Sequence, residues 1–236
     1  GTIVHDTLDE LYTPLQSQVL TVAQLQLMKV KAQELVTKYF SEHFKNGDFK
    51  RGKNRLIFEV AQNYVHRFLD LEMTQVKKGD QIQILATEQR LETHIQIDGI
   101  DFPLKIKGTV DRIDQCNGVT RIIDYKTGVV ESRQLKVSDV SVIQDHKFEK
   151  AIQVLLYTQL YLKDRQDIPN NIEAGIYSFR NLKGGFMKIN FSEAFRGQDY
   201  GITEERLQKA MTEISKIILE IFDPLVSFQE PEELPY

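Results

Sequence analysis

Cys116 is the only cysteine in 236 residues, which excludes an internal disulfide framework, a four-thiolate zinc site and an iron-sulfur cluster built within this chain. As a small residue beside a turn it has an ordinary explanation. Long hydrophobic runs are also missing. No stretch approaches the ~20 apolar residues of a membrane span, and no charged-then-apolar leader opens the chain. A soluble, cytoplasmic protein without membrane contact is the expectation. Nor does one sign of charge dominate, since 30 Lys and Arg against 34 Asp and Glu leave a net charge of −4. A global pull on a polyanion is thereby excluded, and only local patches could meet one. The densest of these, Lys45, Lys50, Arg51, Lys53 and Arg55, is explained as well by a solvated loop as by phosphate contacts. Proline is scarce until the end, where three of six follow Asp223 in a tail expected to be loop or frayed.

A chain of this length buries ~70–75% of its unfolded surface, enough for one full core, and one domain with an inserted helical part is expected. Leu8, Leu11, Tyr12 and Leu15 share a helical face near the start, and His5 lies on it. Thr21 and Gln24 spell a capping box before a stripe through Leu25, Met28, Ala32, Leu35, Val36 and Tyr39, which Asn46-Gly47 ends. Ile57, Val60, Ala61, Tyr64, Phe68 and Leu71 predict a helix over Asn54 to Lys77. The period then becomes two. Ile82, Ile84 and Ala86 mark a first strand, Leu91, Ile95 and Ile97 a second, and Ile106 and Val110 a third, with turns at Asp98-Gly99 and Asn117-Gly118. Later, Phe148 to Lys163 reads as a helix, Ala174 to Phe179 as a strand and Phe186 to Ile189 as its hairpin partner across Lys183-Gly184-Gly185. Thr203 caps a last helix, with Glu204 and Glu205 in its first turn and Leu207, Met211, Ile214, Ile218 and Ile221 on its apolar side. The class is α/β, a mixed central β-sheet flanked by helices. A helical lobe at about 21–78 falls between core parts at about 1–20 and 80–223, and 224–236 form the tail.

Chemistry concentrates in Gly108 to Gly128. Asn117-Gly118 is the strongest short-range hairpin signal, because a type I′ turn needs φ > 0 at both central positions. With those two as the loop, Cys116 faces Val119, Asp114 faces Arg121 and Asp111 faces Asp124. Like charges ~4.5–5.5 Å apart destabilise a sheet. Lys126, on the face of Asp124 and opposite Thr109, could offset one charge, whereas a divalent cation held by oxygen ligands would offset both. A solvated charged hairpin is the plainer alternative, and a bulge would shift the register and part the aspartates.

The run Gly108-Thr-Val-Asp111-Arg-Ile-Asp114 followed by Ile123-Asp124-Tyr125-Lys126-Thr127-Gly128 resembles the RecB-like branch of the PD-(D/E)XK nuclease superfamily. Two further elements of that family's pattern stand in order: Gly1-Thr-Ile-Val-His5 at the start of the first helix, and Gln153-Val-Leu-Leu-Tyr157 on a later one. The resemblance implies a restriction-endonuclease-like core and a magnesium- or manganese-dependent deoxyribonuclease. It implies that Asp111, Asp124, His5 and the Tyr125 main-chain carbonyl hold the metal, and that Lys126 positions or deprotonates the attacking water. In this family the module often ends a helicase-nuclease of recombinational DNA repair, so DNA and a helicase domain or subunit are the implied partners. A start four residues before the histidine suggests an excised domain. Some relatives add a cysteine near the front and a cluster after the last helix that hold an iron-sulfur cluster, and those cysteines are missing up to Tyr236. A second reading, from another class, is a nuclease-like module that has lost catalysis and serves in binding or structure. Retention of both aspartates, Lys126 and His5 argues against it.

Other residues weigh less. By itself His5 is a satisfied core histidine, and only the motif context makes it a ligand. His66 lacks a glycine four residues earlier, and His43, His94 and His146 suggest no partners. Gln153 and Tyr157, at i and i+4, either reach the site's water or a substrate phosphate or pack as a polar pair on the sheet edge. Asp114 is assigned to an ion pair with Arg121, and Arg112 is as well explained by structure as by function. Glu88, placed before the meander's second strand, is expected to stay outside the site, and Arg180 is a weaker candidate for phosphate contact. Gly47-Asp-Phe-Lys-Arg-Gly52-Lys53 spells most of a Walker A loop. Asn54 stands where Ser or Thr would bind magnesium, and the run follows a helix, so an NTPase is set aside.

Overall fold

Alternating apolar positions after Asp80 do build antiparallel strands, as a computed structural model that describes residues 1–44, 51–163, 165, 171–194 and 197–227 shows. Strand β1 (Ile82–Ile95) pairs antiparallel with β2 (Leu104–Cys116), which pairs antiparallel with β3 (Val119–Lys126). Strand β4 (Ile172–Ser178) joins β3 in parallel and β5 (Met187–Lys188) closes the edge antiparallel to β4, giving a mixed sheet in the order β1-β2-β3-β4-β5.

Two strands were expected between Ile82 and Ile97, and one long strand is found. The register shifts between Ile84 and Ala86, and Glu88 takes a left-handed φ of 42°. These absorb the break in alternation while β2 continues to supply partners. The outer edge of β1 is partly covered by residues 17–20, where Leu20 N–H donates to the Ile82 carbonyl at 2.8 Å. A second difference lies at Lys183-Gly184-Gly185. The direct hairpin is replaced by a 3-10 turn, Phe179–Gly184, which Gly185 leaves at a φ of 64°.

Helix α1 (Thr2–Tyr12) precedes α2 (Val22–His43) and α3 (Gly52–Lys77). The capping box at α2 is formed, with Gln24 N–H donating to Thr21 Oγ1 at 3.2 Å and Thr21 N–H to Gln24 Oε1 at 2.8 Å. Asn46-Gly47, Lys45, Lys50 and the tail beyond residue 227 lie outside the described residues. Helix α4 (Glu149–Leu162) follows β3, and α5 (Glu204–Phe222), capped by Thr203, ends the described core. Among the described residues no helix is long and apolar enough to cross a membrane.

The sheet separates two apolar cores. Leu8, Val36, Phe68, Ile123 and Tyr125 belong to the first, beside α1–α3, whereas Ile122, Ala151, Leu155, Ile176 and Ile214 belong to the second, beside α4 and α5. Period two along β3 puts Ile123 and Tyr125 against one and Ile122 against the other. Asp124 and Lys126 share the parity of Ile122 and so face α4. Of the α3 stripe read from the sequence, Ala61 and Phe68 are buried whereas Val60 is exposed; the buried face also holds Val65, Leu69, Met73 and Glu72, the last fully buried one turn after Phe68.

Candidate active site

The β2–β3 pairing runs from Cys116↔Val119 through Asp114↔Arg121 to Arg112↔Ile123 and stops there. The Asp111–Asp124 pair expected from the two-residue loop would be the next step, and the ladder ends before it. One further step would hand the Tyr125 N–H to Val110, but the Asp111 side chain intercepts it: that amide donates to Asp111 Oδ2 at 2.5 Å. The other oxygen, Oδ1, lies 3.3 Å from His5 Nδ1. Helix α1 thus delivers its histidine to β2, with the ring edge-on to Tyr125 at 5.9 Å between centroids. Glu88, carried on the irregular part of β1, is 4.0 Å from the same His5 nitrogen. His5, Glu88 and Asp111 offer three ligand atoms all within 4.8 Å of one another. Glu88, expected outside, is therefore inside. The bulge and left-handed residue that turn it inward leave no periodic mark in the sequence.

Across the hairpin, Asp124 is buried and holds Lys126, whose Nζ lies 2.8 Å from Oδ2 and 3.0 Å from Oδ1. Lys126 Nζ also donates to Gln153 Oε1 at 2.9 Å, and Gln153 Nε2 donates to the Tyr157 hydroxyl at 2.8 Å. Gln153 and Tyr157, one turn apart on α4, thereby form a relay that ends on the lysine. Gly108 makes the approach of α4 possible, because a Cβ there would come within 2.7 Å of Tyr157 Cε1 and 3.5 Å of Leu160 Cδ1. Gly108→Ala is expected to push Tyr157 outward, to loosen Gln153 from Lys126 and, in the nuclease that the sequence resemblance implies, to lower the rate of cleavage by ~10- to 100-fold. Loss of stability alone, with the rate per folded molecule unchanged, would contradict this.

Electrostatics bear on whether a cation fits. Burial and the neighbouring Asp111 charge push Asp124 up to about 6, against the opposing pull of Lys126. Burial and Asp111 likewise push Glu88 up to about 7. For His5, burial pulls the pKa down, but the hydrogen bond and charge of Asp111, with Glu88 and Asp124, outweigh it and the net shift is upward. Carboxylates that hold protons against their neighbours are short of positive charge. Oxygen donors with one imidazole in this spacing match a hard divalent cation, so the donor set fits magnesium or manganese.

Behind the hairpin lies an ionic cluster. Arg121 grips Asp114 with Nε and Nη2 at 2.6 and 2.8 Å, as the register implied. Arg112, fully buried, reaches Asp114 at 2.6 Å and Glu72 of α3 at 2.7 Å, with the Tyr12 ring 4.7 Å from its guanidinium carbon. Tyr12 donates its hydroxyl to Glu72. Since Tyr12 lies two turns beyond His5 on α1, this cluster clamps the histidine's helix onto the strand that bears Asp111. Among the remaining histidines, His43 meets Asp6 at 2.6 Å. Of the Walker-like run, 47–50 lie outside the described residues, and Gly52 and Lys53 begin α3.

An acidic group with one imidazole thus stands beside a lysine on a mixed sheet with helices on both faces. A family model of the PD-(D/E)XK nuclease superfamily matches residues 1–233, and the chain belongs to that superfamily. Its members generally hydrolyse phosphodiester bonds in nucleic acids and typically depend on a divalent metal. Comparison with curated proteins found no match.

Proposed function

We propose that the protein is a magnesium- or manganese-dependent deoxyribonuclease of the RecB-like type, acting as the exonuclease module of a helicase-nuclease. The observation that carries the nuclease reading is the trio His5, Glu88 and Asp111, within 4.8 Å, beside the Asp124–Lys126 pair. The finer RecB-like reading rests on the order of Gly1…His5, Asp111, Asp124-Tyr-Lys126 and Gln153…Tyr157 along the chain.

His5, Glu88, Asp111 and Asp124, with the Tyr125 carbonyl, are the residues that would hold the metal. When bound, a divalent cation supplies charge at the scissile phosphate and acidity to nearby water. The chain's own groups do the rest. Lys126 Nζ orients the attacking water and offsets charge on the phosphate, Gln153 fixes the lysine through its Oε1, and Tyr157 fixes the Gln153 amide. Water oxygen bonds to phosphorus and gives up a proton to solvent, the bond from phosphorus to the ester oxygen breaks, and the leaving oxygen takes a proton from solvent.

The test is an incubation of linear and circular DNA, single- and double-stranded, with magnesium, manganese or chelator. Linear substrates are expected to shorten from their ends in either metal, while circles persist and chelator stops the reaction. If every substrate stays intact in both metals, the enzyme reading is lost. Nicked or linearised circles would retain the nuclease and remove the exonuclease.

A further inference from the structure

The β4–β5 side of the sheet carries positive charge that the proposed chemistry leaves unused. Ser178 pairs with Lys126 across β3 and β4, and two residues further on Arg180 is exposed. Lys183, also exposed, follows on the same 3-10 turn. Among the described residues neither has an ion-pair partner. Beside this turn lies a groove of about 610 Å³ along β5, whose walls include Arg133, Lys136, Lys188, Phe186 and Tyr200 and, among the described residues, no carboxylate. Asp124, Ile176 and Met187 form one row across β3, β4 and β5. Met187, a wall of the groove, thus sits two strand spacings, ~10 Å, from Asp124.

We propose that this groove, continued by Arg180 and Lys183, is the track of one unpaired strand of the nucleic-acid substrate next to the scissile phosphate. The proposal rests on the nuclease reading of the site. Cations along a concave path meet successive phosphates, and aromatic walls offer stacking surfaces to bases. A duplex keeps its base faces covered and can use only the first of these. Arg133 remains available to phosphate, because it pairs with Glu131 at an exposed position that a phosphate readily competes for. Lys188 spans Glu173 at 2.8 Å and the Tyr200 ring at 4.9 Å, and Lys136 donates to the Ala194 carbonyl at 3.1 Å.

The experiment follows binding of a fluorescent 20-nucleotide oligothymidylate and of a duplex of equal length, in chelator, by anisotropy over a salt series, and cleavage in magnesium and in manganese in parallel. Arg180→Gln/Lys183→Gln is expected to weaken single-strand binding ~10-fold, to lower the salt slope by ~1.4, and to raise KM with kcat unchanged. Tyr200→Leu is expected to weaken the single strand at least ~5-fold and the duplex little. Both variants binding with wild-type affinity and salt slope would overturn the track, whatever the cleavage result. Equal losses on single strand and duplex would overturn its assignment to an unpaired strand. If the wild type binds through these residues but cleaves nothing in either metal, the nuclease reading fails and the track stands.

Discussion

Asp124→Asn is expected to lower DNA cleavage by about a thousandfold or more and, in the same molecule, to raise the melting temperature of the metal-free protein. The two effects share one cause. Asp124 is 2% exposed, feels the charge of Asp111 and has its pKa pushed up to about 6 by burial and that neighbour. An acid whose folded pKa is raised contributes stability that is present below its unfolded value and lost as pH rises through the folded one. For Asp124 the penalty is absent below about pH 4, grows between 4 and 6, and is complete above. The asparagine variant should therefore match the wild type near pH 4 and exceed it at pH 7–8 by ~1–2 kcal/mol, a few degrees in melting temperature. Adding manganese should reverse the order at pH 7–8, because only the wild type gains the stabilisation of a tightly held cation, ~2.7 kcal/mol at a hundred times Kd. Calorimetry of both proteins at pH 4.5 and 7.5, with and without manganese, reads all of this. A variant no more stable than the wild type at pH 7.5 without metal would show that the aspartates tolerate each other unaided. A variant that cleaves normally would remove Asp124 from the chemistry.

Much of this site was legible because its information is local. Asn117 and Gly118, at φ of 52° and 83°, form the turn their types announce, and a two-residue loop dictates partners by arithmetic as far as Arg112↔Ile123. Thr21 and Gln24 capped their helix for the same reason: the interaction spans three residues. What escaped is tertiary. Glu88 follows a bulge, and a bulge costs one residue of register without altering the types around it. Glu72 belongs by spacing to the face of Phe68 but by chemistry to solvent, and its burial becomes permissible only through Arg112, forty positions away. Gly108 could be matched to a motif, but its packing reason exists only once Tyr157 lies over the strand.

That buried cluster leads to the other large effect. Glu72, Arg112 and Asp114 have fully buried side chains, so Arg112→Ala leaves Glu72 without its cation and Asp114 with Arg121 alone. Breaking one partner out of a buried pair typically costs ~3–5 kcal/mol, because the other charge stays in a medium that cannot solvate it. Arg112→Ala is expected to lose that much in denaturant unfolding. Acid should add to the loss in both proteins. Burial pushes Asp114 up, but Arg112 and Arg121 outweigh it and hold its pKa below the usual value. Its contribution is thus present above about pH 4 and disappears as pH falls further. Glu72→Met/Arg112→Met removes both buried charges, keeps the volume and leaves Asp114 its two-pronged bond to Arg121. It should be less destabilised than Arg112→Ala, in spite of carrying more substitutions. The double variant nevertheless loses the Tyr12–Glu72 bond that ties α1 to the cluster. His5 should then be held less firmly over Asp111, and manganese affinity should fall although the fold survives. Stability and metal affinity falling together in strict proportion across both variants would contradict the clamp, since the double variant is expected to recover the first and not the second.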